Sequence, residues 1–129
     1  MIRNLSKNTI LAKEEFWAIS IFSRFRGLIG HDFSRFDGMV FPDCNAIHTF
    51  FMGMEIDVVF TDMEGKVLGV YPRVRRWKFC LLQRGAKITV ELPAGTIEKT
   101  ETAKGDILRL ENMEYSAILP HAERKMKDF

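Results

Sequence analysis

The chain lacks the features of a secreted, disulfide-bonded or membrane-spanning protein. Its two cysteines, Cys44 and Cys80, are too few for a disulfide framework in a chain long enough to bury its own core. No stretch near the N-terminus combines an apolar block with the small-residue cleavage site of a secretory signal. No run approaches the roughly 20 apolar residues of a membrane-spanning helix. We therefore expect a cytoplasmic protein with reduced thiols and no membrane association.

An excess of one charge sign and the common nucleotide-binding motifs are also missing. Nineteen Lys and Arg oppose seventeen Asp and Glu, giving a formal net charge of +2, which argues against a general nucleic-acid binder. Neither the G-x-x-x-x-G-K nor the G-x-G-x-x-G motif occurs, and there is no C-x-x-C pair of the kind found in zinc sites. We therefore expect no cofactor and no metal.

What the chain does contain is a series of short apolar segments separated by turn residues, within the 129 residues typical of one domain. Segments at roughly 8–12-residue spacing predict short strands. The predicted strands are Met1–Leu5, Thr9–Ala12, Gly38–Phe41, Ile47–Met52, Ile56–Thr61, Lys66–Tyr71, Lys87–Leu92 and Ile107–Glu111, and the strongest of them are Ile47–Met52 and Ile56–Thr61. The turn before Lys66 predicts a hairpin over Ile56–Tyr71, and the alternation in Lys87–Leu92 indicates a half-buried strand.

Apolar residues at helical spacing predict one helix, at about Ser20–Ile29. Thr96, which follows the strand-breaking Pro93, is expected to cap a shorter helical turn. The predicted fold is α+β and mostly β: a small β-barrel, or a strongly curved antiparallel or mixed sheet, with one packed helix. Residues 1–111 form a single domain, and the charged tail over 112–129 is helical or frayed.

Asp57 is the charged residue with the least expected position, because apolar residues flank it on a probable central strand. A carboxylate without partners is costly to bury. Asp57 is therefore either an acid in a pocket or a structural group that binds an Arg or backbone amides. The structural role is the simpler explanation, and Asp57 is kept as a candidate site residue.

Cys44 and His48, four residues apart, are the other catalytic candidates. A hydrolase-type site would combine Asp57 with His48 as a base or with Cys44 as a nucleophile. Cys44, His48 and Cys80 would also give three zinc ligands, but their spacing is not typical of a zinc site. The alternative is one partly buried His and two ordinary thiols.

Basic and aromatic residues are interleaved in the segment Tyr71–Arg84. On a regular strand, alternate positions share one face; these are Tyr71, Arg73, Arg75, Trp77 and Phe79. Such a face can bind a phosphate or stack a base or sugar. The favoured alternative is an edge strand whose charges prevent edge-to-edge association, so nucleic-acid binding through Arg73–Arg84 is the weakest functional hypothesis.

Four segments between Ile10 and Leu110 resemble a bacterial and archaeal family catalogued as "domain of unknown function 192". They are Arg24–Gly30 (RFRGLIG), Gly38–Phe41 (GMVF), Ile47–Phe60 (IHTFFM and IDVVF) and Glu91–Gly95 (ELPAG) followed by Gly105 and Asp106. The resemblance implies a small β-barrel-like α+β domain and no reaction. Many relatives carry a Trp-Met-Lys-Asn segment where this chain has His48–Phe51, and a Pro where it has Glu55.

The sequence favours a non-enzymatic ligand-binding or accessory domain over the hydrolase. The predicted groove contains His48, Asp57 and Glu91 and is rimmed by the Arg73–Lys78 strand, since Glu91 points away from the apolar face of its own strand. The ligand-binding candidates are therefore His48, Asp57, Glu91, Arg73, Arg75 and Trp77. A small anion, a saccharide or an extended peptide is the expected ligand.

Overall fold

A computed structural model describes residues 1–18, 33–47, 54–75 and 81–110. These residues form the strands β1 (Ile2–Asn4), β2 (Thr9–Ala12), β3 (Glu15–Trp17), β4 (Gly38–Pro42), β5 (Ala46–Ile47), β6 (Ile56–Thr61), β7 (Val67–Val74), β8 (Leu81–Leu82), β9 (Ile88–Pro93) and β10 (Leu108–Leu110), and the helix α1 (Thr96–Thr100). Within these ranges, no helix has the length and hydropathy needed to cross a membrane.

The strands form three open sheets. Their orders are β10-β1-β2, β3-β4-β9-β6-β7 and β5-β8. Among the described residues, the strand pairs are antiparallel except β3 with β4, and an isolated bridge between Lys66 and Ile107 connects the first two sheets. The mostly-β prediction is confirmed, whereas a closed barrel is not found in the described residues. The predicted helix at Ser20–Ile29 and the tail over 112–129 lie outside those residues.

The central strands of the five-stranded sheet are buried on both faces. The inner face packs against the three-stranded sheet and α1 through residues such as Val59, Val90 and Ile97. The outer face carries a second apolar cluster, here called the outer cluster: Ala18, Met39, Phe41, Ile47, Ile56, Val58, Phe60, Val74, Leu81 and Ala86. The prediction that Lys87–Leu92 is half-buried was wrong, because this cluster also covers Thr89 and Glu91.

The predicted Ile56–Tyr71 hairpin is confirmed, and β7 forms an edge of the five-stranded sheet. A β-bulge interrupts the pairing of β6 with β7: Ile56 pairs with Val74 and Val58 with Tyr71. Two residues, Pro72 and Arg73, therefore stand opposite Asp57. This extra residue reverses the alternation of side chains between the two faces of the sheet. Tyr71 and Val74, three residues apart, therefore both contact the outer cluster. The predicted shared face of Tyr71, Arg73 and Arg75 is wrong for that reason.

A buried polar cluster ties the first hairpin to the loop before β10. Asp106 accepts hydrogen bonds from Asn4 Nδ2 at 2.9 Å, from Lys7 Nζ at 2.9 Å and from the Ala103 amide at 3.0 Å. Asn4 also donates to Thr102 Oγ1 at 3.2 Å. Burial raises the pKa of Asp106, but the hydrogen bonds from Asn4, Lys7 and Ala103 outweigh it and hold that pKa below its ordinary value.

Candidate functional site

The Asp57 carboxylate is fully buried and accepts three backbone hydrogen bonds. Oδ1 accepts from the Arg73 amide at 2.9 Å, and Oδ2 accepts from the amides of Gly95 at 3.1 Å and Ile97 at 2.8 Å. Asp57 thus satisfies amides at the start of α1, which otherwise lack partners, and holds the bulge on β7. These bonds support the structural interpretation, with backbone amides rather than an Arg side chain as partners.

Two of the three residues whose amides donate to Asp57 have left-handed backbone conformations. Arg73 has φ +49° and Gly95 has φ +97°, both in the left-handed region that ordinary residues avoid. Gly95 is the residue immediately before α1. Because it is a glycine, it has no side chain that could cap the helix. Thr96 instead donates its hydroxyl to the Pro93 carbonyl at 2.7 Å, so the prediction that Thr96 caps the helix was wrong.

Glu91 lies in the middle of β9 on the outer face of the sheet. Its direct cross-strand partners are Met39 on β4 and Val58 on β6, both members of the outer cluster. Only 4% of Glu91 is exposed, and its Oε2 atom has no hydrogen-bond partner among the described residues. A buried polar atom without a partner is uncommon in folded proteins and calls for an explanation.

Burial also determines the protonation state of Glu91. Removal of the carboxyl from water disfavours the charged form and raises its pKa from 4.5 to about 8. Glu91 is therefore mostly protonated at neutral pH and carries an O–H donor beside a carbonyl acceptor. Strongly perturbed carboxyls of this kind are found preferentially at functional sites.

Cys44 lies at the border of the outer cluster and is half-buried. Its thiol donates to the Ala46 carbonyl at 3.1 Å, and the Cys44 carbonyl accepts from Thr89 Oγ1 at 2.9 Å. Thr89 and Glu91 share one face of β9, which places Cys44 on the Glu91 side of the sheet.

The candidates His48 and Trp77, and also Cys80, lie outside the described residues. No group of three metal-ligating side chains occurs in the described part of the chain.

The structure does not bring all of the predicted site residues together. Asp57 pairs with Leu92 and faces the inner side of the sheet, whereas Glu91 faces the outer side. Arg73 joins Asp57 through its backbone amide, while its side chain is exposed on the edge strand. Arg75 is also exposed. The predicted groove shared by Asp57 and Glu91 is therefore not present.

A separate groove of about 270 Å³ lies where the two larger sheets meet. Its lining is mainly apolar: Leu5, Trp17, Met63, Ile88, Ile107, Leu108 and Leu110, with Glu64, Gly65 and Arg109 completing it. Leu5 and Ile107 are unusually exposed for large apolar residues. The volume of this groove is slightly below the roughly 300–1,000 Å³ that is typical of small-molecule sites. No pattern in the sequence predicts this groove, because its walls come from distant segments.

The family model "Uncharacterized ACR, COG1430" (DUF192) matches residues 9–110. The chain belongs to the DUF192 family. It is 30% identical over 135 residues to the UPF0127 protein of Thermococcus sibiricus, covering 93% of this chain and 80% of that one. It is 32% identical over 63 residues to the UPF0127 protein of Thermococcus gammatolerans, covering 49% of this chain and 40% of that one.

Crystal structures of two bacterial proteins share the fold of this DUF192 domain. A protein of unknown function from Novosphingobium aromaticivorans gives a TM-score of 0.66 at 16% identity, with 74% of each chain covered. A protein from Sinorhizobium meliloti also gives 0.66, at 19% identity, with 74% of this chain and 79% of that one covered. At these identities the likeness concerns the fold alone.

Proposed function

We propose that this DUF192 domain is a non-enzymatic binding protein and that its ligand contacts the Glu91 carboxyl on the outer face of the five-stranded sheet. The observation that carries the proposal is the buried Oε2 atom, which has no partner among the described residues. Leaving such an atom unbonded costs about 1–3 kcal/mol. A ligand that supplies the missing hydrogen bond recovers this free energy on binding.

The surroundings of Glu91 fit a binding site that is mostly apolar with few polar groups. Partly buried side chains pack against the outer cluster, to which the neighbours of Glu91 belong: Phe33, Phe36, Cys44, Met54, Leu68 and Tyr71. An apolar ligand surface that displaces water from these side chains gains roughly 25 cal/mol for each Å² buried. Glu91 would then fix the orientation of the ligand.

The hydrolase alternative is weaker because Asp57 cannot serve as its acid. The Asp57 carboxylate is fully buried, is held by three amides and faces away from Cys44 and Glu91. The Cys44 thiol donates to a backbone carbonyl rather than to a base among the described residues. A nucleophile needs such a base within hydrogen-bond reach.

A thermal-shift screen tests the proposal, since a ligand that binds the folded state raises the melting temperature by mass action. The screen compares the wild type with Glu91→Met, which keeps the side-chain length but removes both oxygens, and with Ile107→Ser, which alters the separate groove. We expect compounds that stabilise the wild type and Ile107→Ser but not Glu91→Met. Stabilisation that survives in Glu91→Met, or turnover of a stabilising compound, would contradict the proposal.

A further inference from the structure

We propose that the segment Glu111–Leu119, which directly follows β10 in the sequence, folds back over the groove between the two larger sheets and covers its apolar walls. The groove would then be a docking site for part of the same chain. This contact is independent of the proposed Glu91 site, because Glu91 lies on the outer face of the five-stranded sheet.

One face of the three-stranded sheet exposes large apolar side chains beside the groove. Arg3 pairs with Arg109 on β10 and with Ile10 on β2, and the Leu5 amide donates to the Ile107 carbonyl at 2.8 Å. Alternate residues of a strand share a face, so these five side chains lie on one side, here called the solvent face. Leu5 is 54% exposed, Ile10 43% and Ile107 38%, although such a face usually carries polar residues. Neighbouring exposed apolar side chains indicate a contact site.

The solvent face continues into the groove. Leu5, Ile107 and Arg109 belong to both, and the lining of the groove also includes the buried side chains of Trp17 and Ile88. A segment that covers these walls gains roughly 25 cal/mol for each Å² of apolar surface removed from water. The lining therefore favours an occupant with apolar side chains.

The chain leaves β10 at the groove itself. Leu110 is the last residue of β10 and lines the groove. The four residues Glu111–Glu114 separate it from Tyr115, and an extended segment of that length spans at most roughly 14 Å. Tyr115 can therefore reach the groove through a short connection, for which the entropic cost of loop closure is small.

The residues that follow this connection match the apolar lining. Tyr115, Ile118 and Leu119 are the large apolar residues before Pro120. Their spacing of i, i+3 and i+4 is that of neighbouring side chains on one side of a helical turn. The segment can thus present three large apolar side chains to the groove together.

Charge favours this segment over a second copy of the protein. Arg3 and Arg109 lie directly opposite each other, and like charges in that position repel. The segment carries Glu111 and Glu114 between Leu110 and its apolar part, so docking brings carboxylates near the two arginines. A two-fold contact between the solvent faces of two copies would instead place the same arginines against each other.

Methyl NMR of the full-length protein, with isoleucine methyl groups labelled, tests the contact directly. We expect nuclear Overhauser effects between the Ile107 methyl groups and the ring protons of Tyr115. The double substitution Ile118→Ser/Leu119→Ser should shift the Ile107 resonances and lower the melting temperature, because the apolar contact is lost. Met126→Ser is the matched control, since it removes an apolar side chain outside the segment, and it should change neither.

Contacts within one wild-type chain support the proposal. It is overturned if Ile107 shows no effect to residues 111–119, or if the double substitution leaves the Ile107 resonances in place. If the effects occur only between two differently labelled copies in a mixture, a second copy supplies the segment, and the proposal is again wrong. The effects are measured in the wild type, so the test does not depend on the folding of the variants. Binding at Glu91 does not require this contact, so a failure here leaves the proposed function intact.

Discussion

Asp57 and Glu91 lie on neighbouring strands, one residue out of register, and therefore point to opposite faces of the same sheet. Asp57 faces inward and accepts three backbone hydrogen bonds. Glu91 faces outward, and its Oε2 atom has no partner among the described residues. One strand pair thus holds a carboxylate with three backbone partners and a buried carboxyl that lacks one hydrogen bond within the described part of the chain.

Asp57→Asn should destabilise the fold by about 2–4 kcal/mol, because an amide keeps one acceptor oxygen and turns an NH2 group towards backbone donors. Urea denaturation at neutral pH measures the loss. The neighbouring Glu55 is exposed, so Glu55→Gln is the matched control and should change stability by less than about 0.5 kcal/mol. Equal effects of the two substitutions would show that Asp57 is not a structural residue.

Glu91→Gln should remove a pH dependence of stability. The pKa of Glu91 in the folded protein is about 8, against 4.5 for the ordinary side chain. Between these values the unfolded chain binds fewer protons, so the free energy of unfolding falls as pH rises, by up to about 1.4 kcal/mol per pH unit. The difference between wild type and Glu91→Gln, measured at about pH 6 and about pH 8, isolates this contribution. A difference that stays constant with pH would be inconsistent with a raised pKa.

Gly65→Ala should be much more destabilising than Gly105→Ala, although both glycines have nearly the same φ, +89° and +94°. The backbone cost of the left-handed conformation is roughly 1–2 kcal/mol for each. A Cβ on Gly105 meets nothing within 4 Å, whereas one on Gly65 overlaps the Leu108 carbonyl oxygen. Overpacking should add about 1–3 kcal/mol at Gly65. Equal melting temperatures for the two variants would argue against the close contact between the β6–β7 turn and β10.

Asp106→Asn should destabilise the protein at neutral pH by about 1–3 kcal/mol, since it weakens the charge-assisted hydrogen bonds to Asn4 and Lys7. The pKa of Asp106 is lowered from 3.8. The contribution of its ionised form is therefore present above that value and is lost as pH falls through the folded-state pKa. Acid titration of the stability difference should show the two proteins converging. Glu64 is exposed, so Glu64→Gln serves as the control.

Local patterns in the sequence were enough to predict most strands. The turn residues Asp62 and Gly65 predicted the hairpin of β6 and β7, which is observed. The alternation of apolar and polar residues predicted that Ile88, Val90 and Leu92 share one face, which is also observed. The helical turn after Gly95 is also confirmed. These features depend on neighbours in sequence, which is why they could be predicted.

The properties of the candidate site depend on contacts between distant segments. Glu91 looked like the solvent-facing position of an alternating strand, and only its pairing with Met39 and Val58 shows that it is buried. A signal was present: both neighbouring strands, GMVFP and IDVVFT, are mainly apolar rather than alternating, which is typical of strands buried on both faces. For the bulge at Arg73 the signal was weaker: Pro72 lies within the same strand, and a strand proline indicates an edge strand or a bulge without telling which.

The most direct test of the account is a pH titration of the Glu91 carboxyl by carbon-13 NMR of protein labelled at glutamate, with Glu91→Gln to assign the resonance. We expect this carboxyl to titrate with a pKa of about 8, and we expect compounds that raise the melting temperature of the wild type to move the same resonance. A Glu91 carboxyl that titrates near the ordinary value of 4.5 and does not respond to any of these compounds would contradict the proposed site.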